Sequence, residues 1–480
     1  MEPSEALRIM INDNGGENVS ADEPSPSEPE RVICIKEELK QGCQDHVPGS
    51  WAQLSIYRFP HYLKDGNDKA WVPQIISLGP YHHSKEHLHH MEQHKLRCLH
   101  HILRRANHER DLYLDSVKEV EERARACYEG TISMSSDKFV EMMVLDGCFV
   151  IKLFRGFNEG FEKLGYHPND PIFSIWESIL KIQQDMIMLE NQIPLFVLDL
   201  LLGLQLGNPN QKERVAKLVI YFFDSLHPNS STFDIYKFNR LSDHCSVHCL
   251  EVFWWSLLHL NPTRSKTMHR PRSWKLLIPS LTELRHAGIQ IRLKYTDDWG
   301  DIEFKDRVLS IPQLVIRDGT GSLFLNLIAF EQSHFNCSNY VTSCVVFMHN
   351  LIKSSEDVQY LRNKRIILHC LESDAKVSDL FSRLCQELAF DNQDSHLYDL
   401  SGEVKLQCHQ YLRIYSRWNQ WRAILKNKYF DNPWSIISLV AAFVLLVLTF
   451  IQSMATTRWV LDFLYSGNYL TSTLGVIKVR

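Results

Sequence analysis

The chain has 480 residues, with 52 Lys or Arg and 57 Asp or Glu, so its formal net charge at pH 7 is -5. This balance argues against a nucleic-acid binder, which usually carries a strongly basic face. A hydrophobic content of 44% indicates a sizeable packed core, and 12 scattered cysteines in so long a chain fit a reducing compartment better than a disulfide-stapled secreted protein.

The first 49 residues are predicted to form a disordered acidic segment. Eight acidic residues and one basic residue fall within the first thirty, which end in the Pro/Ser run ADEPSPSEPE. Such a composition buries too little apolar surface to offset the entropy lost when the backbone is ordered. The start, MEPSEALRIM, has neither the basic nor the apolar region of a cleavable signal peptide. Residues 30–41 could form one short helix.

Residues 50–430 are predicted to form one large, mainly α-helical domain, since no internal linker requires a second one. Apolar residues at helical spacing predict a helix over 84–105, with Ser84 as its cap. Successive helices are predicted over 110–260, and Pro194 is expected to end or kink one of them.

The hydrophobic period changes between about 289 and 318. The short runs IQIRLKY, DIEF and RVLSIPQLVI, separated by Asp/Gly turns, predict a small β-meander there. Helical spacing then returns. Helices are predicted over 323–352, 356–367, 376–388 and 403–425.

The segment from Trp434 to Met454 is predicted to be a transmembrane helix. No Asp, Glu, Lys, Arg or His occurs from Asn432 to Thr457. As a helix, the segment would rise roughly 31 Å at about 1.5 Å per residue, which matches the hydrocarbon core of a bilayer. The bilayer is therefore the first expected partner of the chain.

An excess of Lys and Arg on the N-terminal side of this span predicts a cytosolic domain, with 455–480 as a short tail across the membrane. Only Arg458 follows the span closely, and an anchor in this place is typical of a tail-anchored protein. Plasma membrane and endomembrane both stay open. The basic residues before the span are Arg413, Arg417, Arg422, Lys426 and Lys428.

Histidine is concentrated between His82 and His108. Imidazoles four residues apart on a helix can chelate Zn²⁺. The order HHMEQH lacks the glutamate of an HExxH zinc site, so a solvated, weakly basic helix face is the favoured interpretation, and no cofactor is predicted. A second cluster, HCSVHC (244–249), has ligand chemistry but no matching second half. The weak metal candidates are His83, His87, His90 and His94.

Six sequence blocks, taken in order, resemble the motifs of one plant family. They are VPQIISLGPYHH (72–83), SSDKFVEMMVLDGCFVIKLF (135–154), QQDMIMLENQIPLFVLDLL (183–201), PSLTELRHAGIQIRLK (279–294), GSLFLNLIAFEQSH (321–334) and YFDNPWSIISLVAAFVLLVLTFIQ (429–452). The chain thus resembles, over about residues 51–458, the family known as domain of unknown function 247. The resemblance implies a plant protein with a mainly helical domain and a C-terminal anchor. Family members usually stop soon after the span, whereas this chain continues.

Polar residues within these blocks are set against strongly apolar sequence, so they are expected to be at least partly buried and to need hydrogen-bond partners. Helix ends could supply those partners, and Glu190-Asn191-Gln192 is expected to fix the helix end before Pro194. Two such carboxylates could instead act as general acid and base, but the sequence nominates no pair. The candidates are Asp146, Asp185, Glu190, Asn191, Gln192, Glu331 and Gln332.

The sequence leaves two classes of function open. The predicted anchor and the lack of phosphate-loop, dinucleotide-binding, nucleophile-elbow and CxxC motifs favour a non-enzymatic, membrane-anchored recognition protein with unidentified protein partners. The resemblance also implies a recognition protein, since some family members are linked to pollen–stigma recognition in self-incompatibility. The alternative is a membrane-tethered hydrolytic or metal-dependent enzyme that uses buried carboxylates or the cluster from His82 to His108. A structural membrane component is not separated from the first class.

Overall fold

The computed structural model describes residues 54–64, 68–207, 214–229, 247–258, 278–334, 337–386, 388, 395–425 and 433–474. Over these residues the protein is mainly α-helical with a few short strands, which confirms the predicted fold class. The predicted disordered segment (1–49) and the first half of the HCSVHC cluster lie outside the described residues.

The N-terminal half of the body is a set of packed helices, and the described parts of 110–260 are helical as predicted. They are α1 (His89–Ala106), α2 (Arg110–Glu119), α3 (Glu121–Arg125), α4 (Ser136–Glu159), α5 (Trp176–Met186), α6 (Leu195–Leu206), α7 (Arg214–Phe223) and α8 (Cys249–Leu257). Short 3-10 turns lie at His61–Leu63, Asp68–Ala70, Glu86–Leu88, Glu162–Leu164 and Asp224–Leu226.

The central element of this half is α4. It packs against α1, α2, α6 and α7, and it is buried on nearly every side between Phe139 and Phe154. A Cβ atom at Gly147 would lie 2.4 Å from a methyl carbon of Leu201. Glycine therefore allows α4 and α6 to approach this closely, and the core forms around their contact.

Two predicted helix boundaries are wrong. Helix α1 has Leu88 rather than Ser84 at its N-cap, because Ser84 adopts a left-handed conformation (φ 65°) and a 3-10 turn intervenes. Helix α5 ends at Met186, well before Pro194. Pro194 instead directly precedes α6, where the missing proline N–H would have no intrahelical partner.

The C-terminal half combines short strands with further helices. They are α9 (Leu281–His286), β1 (Gln290–Lys294), β2 (Glu303–Lys305), β3 (Val308–Pro312), β4 (Leu314–Ile316), α10 (Thr320–Ser333), α11 (Tyr340–Leu351), α12 (Ser355–Asn363), β5 (Ile367–His369), α13 (Asp374–Leu384) and α14 (Tyr398–Leu425). The helix predicted over 323–352 is thus two helices. The one predicted over 356–367 ends early, because Arg365 has φ 59° and β5 follows.

The strands predicted between 289 and 318 are present, but their pairing is not a meander. Strand β3 lies in the middle of a three-stranded sheet, parallel to β1 and antiparallel to β2. Strand β4 leaves this sheet and pairs in parallel with β5. The pairing of β4 with a strand some fifty residues away in the sequence is a long-range contact that local hydrophobic spacing does not encode.

The last helix, α15 (Pro433–Leu474), has 42 residues and is longer than predicted. Its most apolar part, Val440–Leu461, has a mean hydropathy of 1.9 and no residue buried against the body. This part lies a few residues after the predicted span from Trp434 to Met454, and it could cross a membrane by its length and composition. The helix would be roughly 63 Å long at about 1.5 Å per residue, so it extends well beyond one bilayer core.

Candidate functional site

A non-helical segment, residues 72–82, crosses the N-terminal half and is held by side chains from the candidate set. Asp185 is 1% exposed and accepts hydrogen bonds from the backbone N–H groups of Gln74, Ile75 and Ile76, at 2.9, 2.6 and 3.0 Å. Burial raises the pKa of Asp185, and the three N–H donors oppose this rise. The carboxylate therefore fixes the start of this segment.

Asn191 continues the same attachment and is fully buried. Its Oδ1 atom accepts from the N–H of Leu78 at 2.6 Å, and its Nδ2 atom donates to the carbonyl oxygens of Ile76 and Asp185, both at 3.0 Å. One amide thus joins the 72–82 segment to the end of α5.

Gln192 contacts the end of α5 and the residues that follow it. Its Nε2 atom donates to the carbonyl oxygens of Met186 and Met188 at 2.8 and 2.7 Å, and its Oε1 atom accepts from the N–H of Leu250. Asn191 and Gln192 therefore donate to carbonyl groups at and just after the end of α5, and not to a helix end next to Pro194.

Glu190 lies elsewhere. Its Oε1 atom accepts from the N–H of Phe59 at 2.8 Å, and its Oε2 atom is 3.3 Å from Nε2 of His82. That distance fits an ion pair, but the His82 ring is not aligned for a hydrogen bond. Burial lowers the pKa of His82 and opposes the pairing, while proximity to His82 and the Phe59 N–H together hold the pKa of Glu190 below its usual value despite burial.

Asp146 forms a buried ion pair with Lys95, at 2.6 Å between Oδ1 and Nζ. Its Oδ2 atom accepts from the N–H of Gly79, and Lys95 also donates to the carbonyl of Ser77 at 2.7 Å. Lys95 is fully buried, yet Asp146 and Glu92 raise its pKa against the effect of burial, so the ammonium stays charged. Gly79 has φ 71°, and a Cβ there would lie 2.6 Å from a backbone oxygen, so glycine is needed where the segment turns.

Glu331 is a separate centre in α10. Its carboxylate accepts from Trp254 Nε1 and from the N–H of Val341 at 2.8 Å each, and from the N–H and hydroxyl of Thr342. It thereby ties α8 and the start of α11 to α10. Burial raises the pKa of Glu331 to about 7, although these donors act in the opposite direction. The adjacent Gln332 is only half-buried.

We expect Glu331→Gln to lower the free energy of unfolding by about 2–4 kcal/mol, because the new NH₂ group would face donors that need an acceptor. Urea denaturation of the full chain in detergent, followed by tryptophan fluorescence, measures this change. Gln332→Glu is the matched control at the neighbouring position and should lower the free energy of unfolding much less. Equal effects of the two substitutions would contradict the role given to Glu331.

The four weak metal candidates do not lie on one helix face. Helix α1 begins only at His89, which leaves His83 and His87 outside it, and Nε2 of His87 contacts the carbonyl of Pro73 at 3.0 Å. His90 and His94 remain on the helix. Across the described part of the chain, no three His, Cys, Asp or Glu side chains are grouped so as to hold a metal ion.

In the described half of the HCSVHC cluster, His248 has a structural role. His248 is fully buried and is the N-cap of α8, where its Nδ1 atom accepts from the N–H of Glu251. Its Nε2 atom lies 3.1 Å from the carbonyl of Ser55 and is the donor there. Burial lowers the pKa of His248 to about 3, so this histidine is neutral at pH 7.

Sequence reasoning missed many of the buried polar residues, among them Lys95, Lys152 and Asn326. Asn326 resembles the candidates in its setting, because it is a single amide within the apolar run LFLNLIAF, and it accepts from the N–H of Leu189 at 2.9 Å. Lys152 also lies within an apolar run, FVIKLF, whereas Lys95 gives no such signal, since lysine in a helix is normally exposed. Lys152 lies over the ring of Tyr166, 5.4 Å from its centre.

We expect Lys152→Met to raise the free energy of unfolding at pH 7 by about 1–3 kcal/mol, because it removes a buried charge without a bound carboxylate. Burial lowers the pKa of Lys152 in the folded protein to about 8, below the value of about 10.4 in an unfolded chain. The wild type therefore gains stability as pH rises from 8 to 10.5, and the advantage of the variant should shrink over that range. Urea denaturation of the wild type and the variant at pH 7 to 10.5 measures the difference in stability and its decrease with pH. Lys138→Met, at an exposed position, is the control. A variant less stable than wild type at pH 7 would contradict this account.

The candidate carboxylates are thus bound to the protein's own backbone and side chains. Two described cavities, one lined by Arg292 and Arg307 and one lined by Phe161 and Phe173, contain none of the candidates. The arrangement can hold the 72–82 segment and the helix ends in place. Among the described residues it brings no two candidate carboxylates to a common cavity where a general acid and base could act.

These contacts and helix α15 define a class: a helical body with a buried polar core and one apolar C-terminal helix that could span a membrane. The chain belongs to the plant DUF247 family, described as plant proteins of unknown function, whose family model matches residues 56–448. This confirms the resemblance found in the sequence.

Two relatives come from Arabidopsis thaliana. The chain is 29% identical over 446 residues to UPF0481 protein At3g47200, which covers 88% of this chain and 90% of that protein. It is 21% identical over 519 residues to the putative UPF0481 protein At3g02645, which covers 88% and 93%. No solved structure matches the chain.

Proposed function

We propose that the protein is a single-pass membrane protein whose helical body recognises other proteins on the cytosolic side. The observation that carries the proposal is the exposure of α15. Its segment Val440–Leu461 presents large apolar side chains on every face, and none of them is covered by the body. Such a surface is unfavourable in water and is stabilised in the hydrocarbon core of a bilayer.

The charge distribution around α15 supports the cytosolic placement of the body. Lysine and arginine precede the apolar segment in excess, which is typical of the cytoplasmic side of a span. Arg458 lies near the far end of the segment, where its long side chain can reach the headgroup region. The preceding basic residues are Arg413, Arg417, Arg422, Lys426 and Lys428.

An exposed aromatic surface supports the recognition role. Ile175, Trp176 and Tyr221 are 48%, 55% and 40% exposed. The partly buried Phe157 joins them, with its ring centre 6.2 Å from that of Trp176 and 5.6 Å from that of Tyr221. We call these four residues the aromatic patch. Contiguous exposed apolar surface marks interaction sites, and Trp and Tyr are enriched among the residues that dominate binding energy.

The proposal is tested by proximity labelling from the full chain in plant cells. A Trp176→Ser/Tyr221→Ser variant should lose a defined set of labelled neighbours while it stays in the membrane fraction. Tyr295→Ser is the matched control, because Tyr295 is 90% exposed and lies outside the aromatic patch. An unchanged set of neighbours in the double variant would contradict recognition through this patch. Protection of the body from protease in sealed vesicles whose cytosolic face is outward would contradict its placement.

The hydrolytic or metal-dependent alternative gains no support from a specific observation. The carboxylates that it needs, such as Asp185 and Glu331, bind backbone N–H groups and side chains of the protein itself.

A further inference from the structure

A cavity of about 490 Å³ lies between the three-stranded sheet and α14, away from the polar contacts described above. Its lining includes Gln290 and Arg292 of β1, Asp306 and Arg307 of the turn between β2 and β3, and Tyr411 of α14. The cavity is thus lined mainly by polar and cationic side chains.

Two arginines give the cavity its charge. Arg292 donates through Nη2 to Oε1 of Gln290 at 2.9 Å, and Arg307 donates through Nη2 to the carbonyl of Ala287. Each guanidinium has five N–H donors, so each contact leaves most of them for other acceptors. The ion pairs of the neighbouring strand join Lys294 to Asp301 and Glu303, and among the described residues none involves Arg292 or Arg307.

The backbone explains why both arginines face the same space. Ile291 is buried beneath the sheet, so its neighbours on β1 point to the opposite face. Asp306 and Arg307 have φ values of 51° and 63°, as in the two-residue turns that suit the twist of a hairpin. The guanidinium carbon of Arg307 lies 5.0 Å from the centre of the Tyr411 ring, which holds the side chain over the cavity.

The position of the cavity along the chain is also informative. Helix α14 continues from Tyr411 to Leu425, and α15 begins at Pro433. The helical part contributes roughly 21 Å and the connecting residues at most about 28 Å, so the cavity is within roughly 50 Å of the start of α15. This chain length is compatible with a position of the cavity close to a bilayer that holds α15.

We propose that this cavity binds a phosphate-bearing ligand, either the headgroup of an anionic lipid or a free phosphorylated molecule. Guanidinium groups match phosphate oxygens with paired, charge-assisted hydrogen bonds. Asp306 is a carboxylate in the same lining, and it opposes the binding of an anion. The lipid source rests on the proposed membrane attachment, whereas the free ligand does not.

The test uses the full chain in detergent and soluble glycerophosphoinositol 4,5-bisphosphate, with inorganic phosphate as a second probe, in isothermal titration calorimetry. Arg292→Gln should weaken binding of the inositol probe and raise its Kd about tenfold or more. Lys305→Gln is the matched control, because Lys305 is exposed on β2 outside the cavity, and it should bind as wild type does. Asp306→Asn should tighten binding severalfold, since asparagine tolerates a positive φ and removes the opposing charge.

Absence of binding by both probes at millimolar concentration would overturn the proposal, as would equal affinities of Arg292→Gln and Lys305→Gln. The source is then identified in nanodiscs. Phosphatidylinositol 4,5-bisphosphate in the disc should lower the apparent affinity for the soluble probe if the ligand is a lipid headgroup, relative to phosphatidylcholine alone. An unchanged affinity identifies a free ligand. Failure of the chain to enter nanodiscs would contradict membrane attachment while the detergent result stands.

Discussion

Lys95→Met should lower the free energy of unfolding by about 3–5 kcal/mol, because it leaves the buried Asp146 carboxylate without its cation. Lys95 is fully buried, and its Nζ atom also binds Glu92 and the carbonyl of Ser77. The substitution would therefore weaken the attachment of the 72–82 segment as well as the ion pair. Urea denaturation of the full chain in detergent measures the loss.

A double-mutant cycle separates the ion pair from general damage to the core. Lys95→Met combined with Asp146→Asn should be more stable than Lys95→Met alone, because asparagine can still accept from the N–H of Gly79 without a buried charge. Lys138→Met on the exposed start of α4 is the control and should be nearly neutral. Additive effects of the two core substitutions would contradict the coupling.

The second large effect concerns α15. Leu446→Arg together with Phe450→Arg should prevent stable membrane integration, since each arginine at the centre of a span costs about 2.5–3.5 kcal/mol and each lost apolar side chain about 0.3–0.6 kcal/mol more. The combined cost of roughly 6–8 kcal/mol is comparable with the whole favourable transfer energy of the predicted span, roughly 4–7 kcal/mol.

The measured quantity is the fraction of full-length chain recovered with membranes by flotation. Leu446→Val with Phe450→Leu keeps the segment apolar and should float as wild type does. The tryptophan fluorescence of the body should be unchanged in both variants, because these side chains do not contact it. A double-arginine variant that floats normally would contradict the assignment of this segment as the anchor.

Local pattern predicted the elements of this fold better than their boundaries. The successive helices predicted over 110–260 include α4, and the apolar segment from Trp434 to Met454 predicted part of α15. The predicted helix ends were wrong where a residue other than glycine adopts a positive φ, as at Ser84 and Arg365. Such conformations are set by the surrounding tertiary structure and leave little trace in the sequence.

The sequence predicted which polar residues are buried better than it predicted the residues to which they hydrogen-bond. A polar residue within an apolar run, such as Asp185 or Asn191, is expected to be buried and hydrogen-bonded. Its partners lie more than a hundred residues earlier in the chain, in the 72–82 segment, and no local spacing indicates them. Lys95 was missed for the same reason, because only the folded structure brings it to Asp146.

The account depends most on the insertion of α15 into a lipid bilayer, and alkaline carbonate extraction of the full-length protein tests this most directly. An integral span resists extraction, because carbonate disrupts surface contacts but leaves a helix held by its hydrocarbon-embedded side chains. We predict that the protein stays in the membrane pellet. Its quantitative release into the carbonate supernatant would contradict the account.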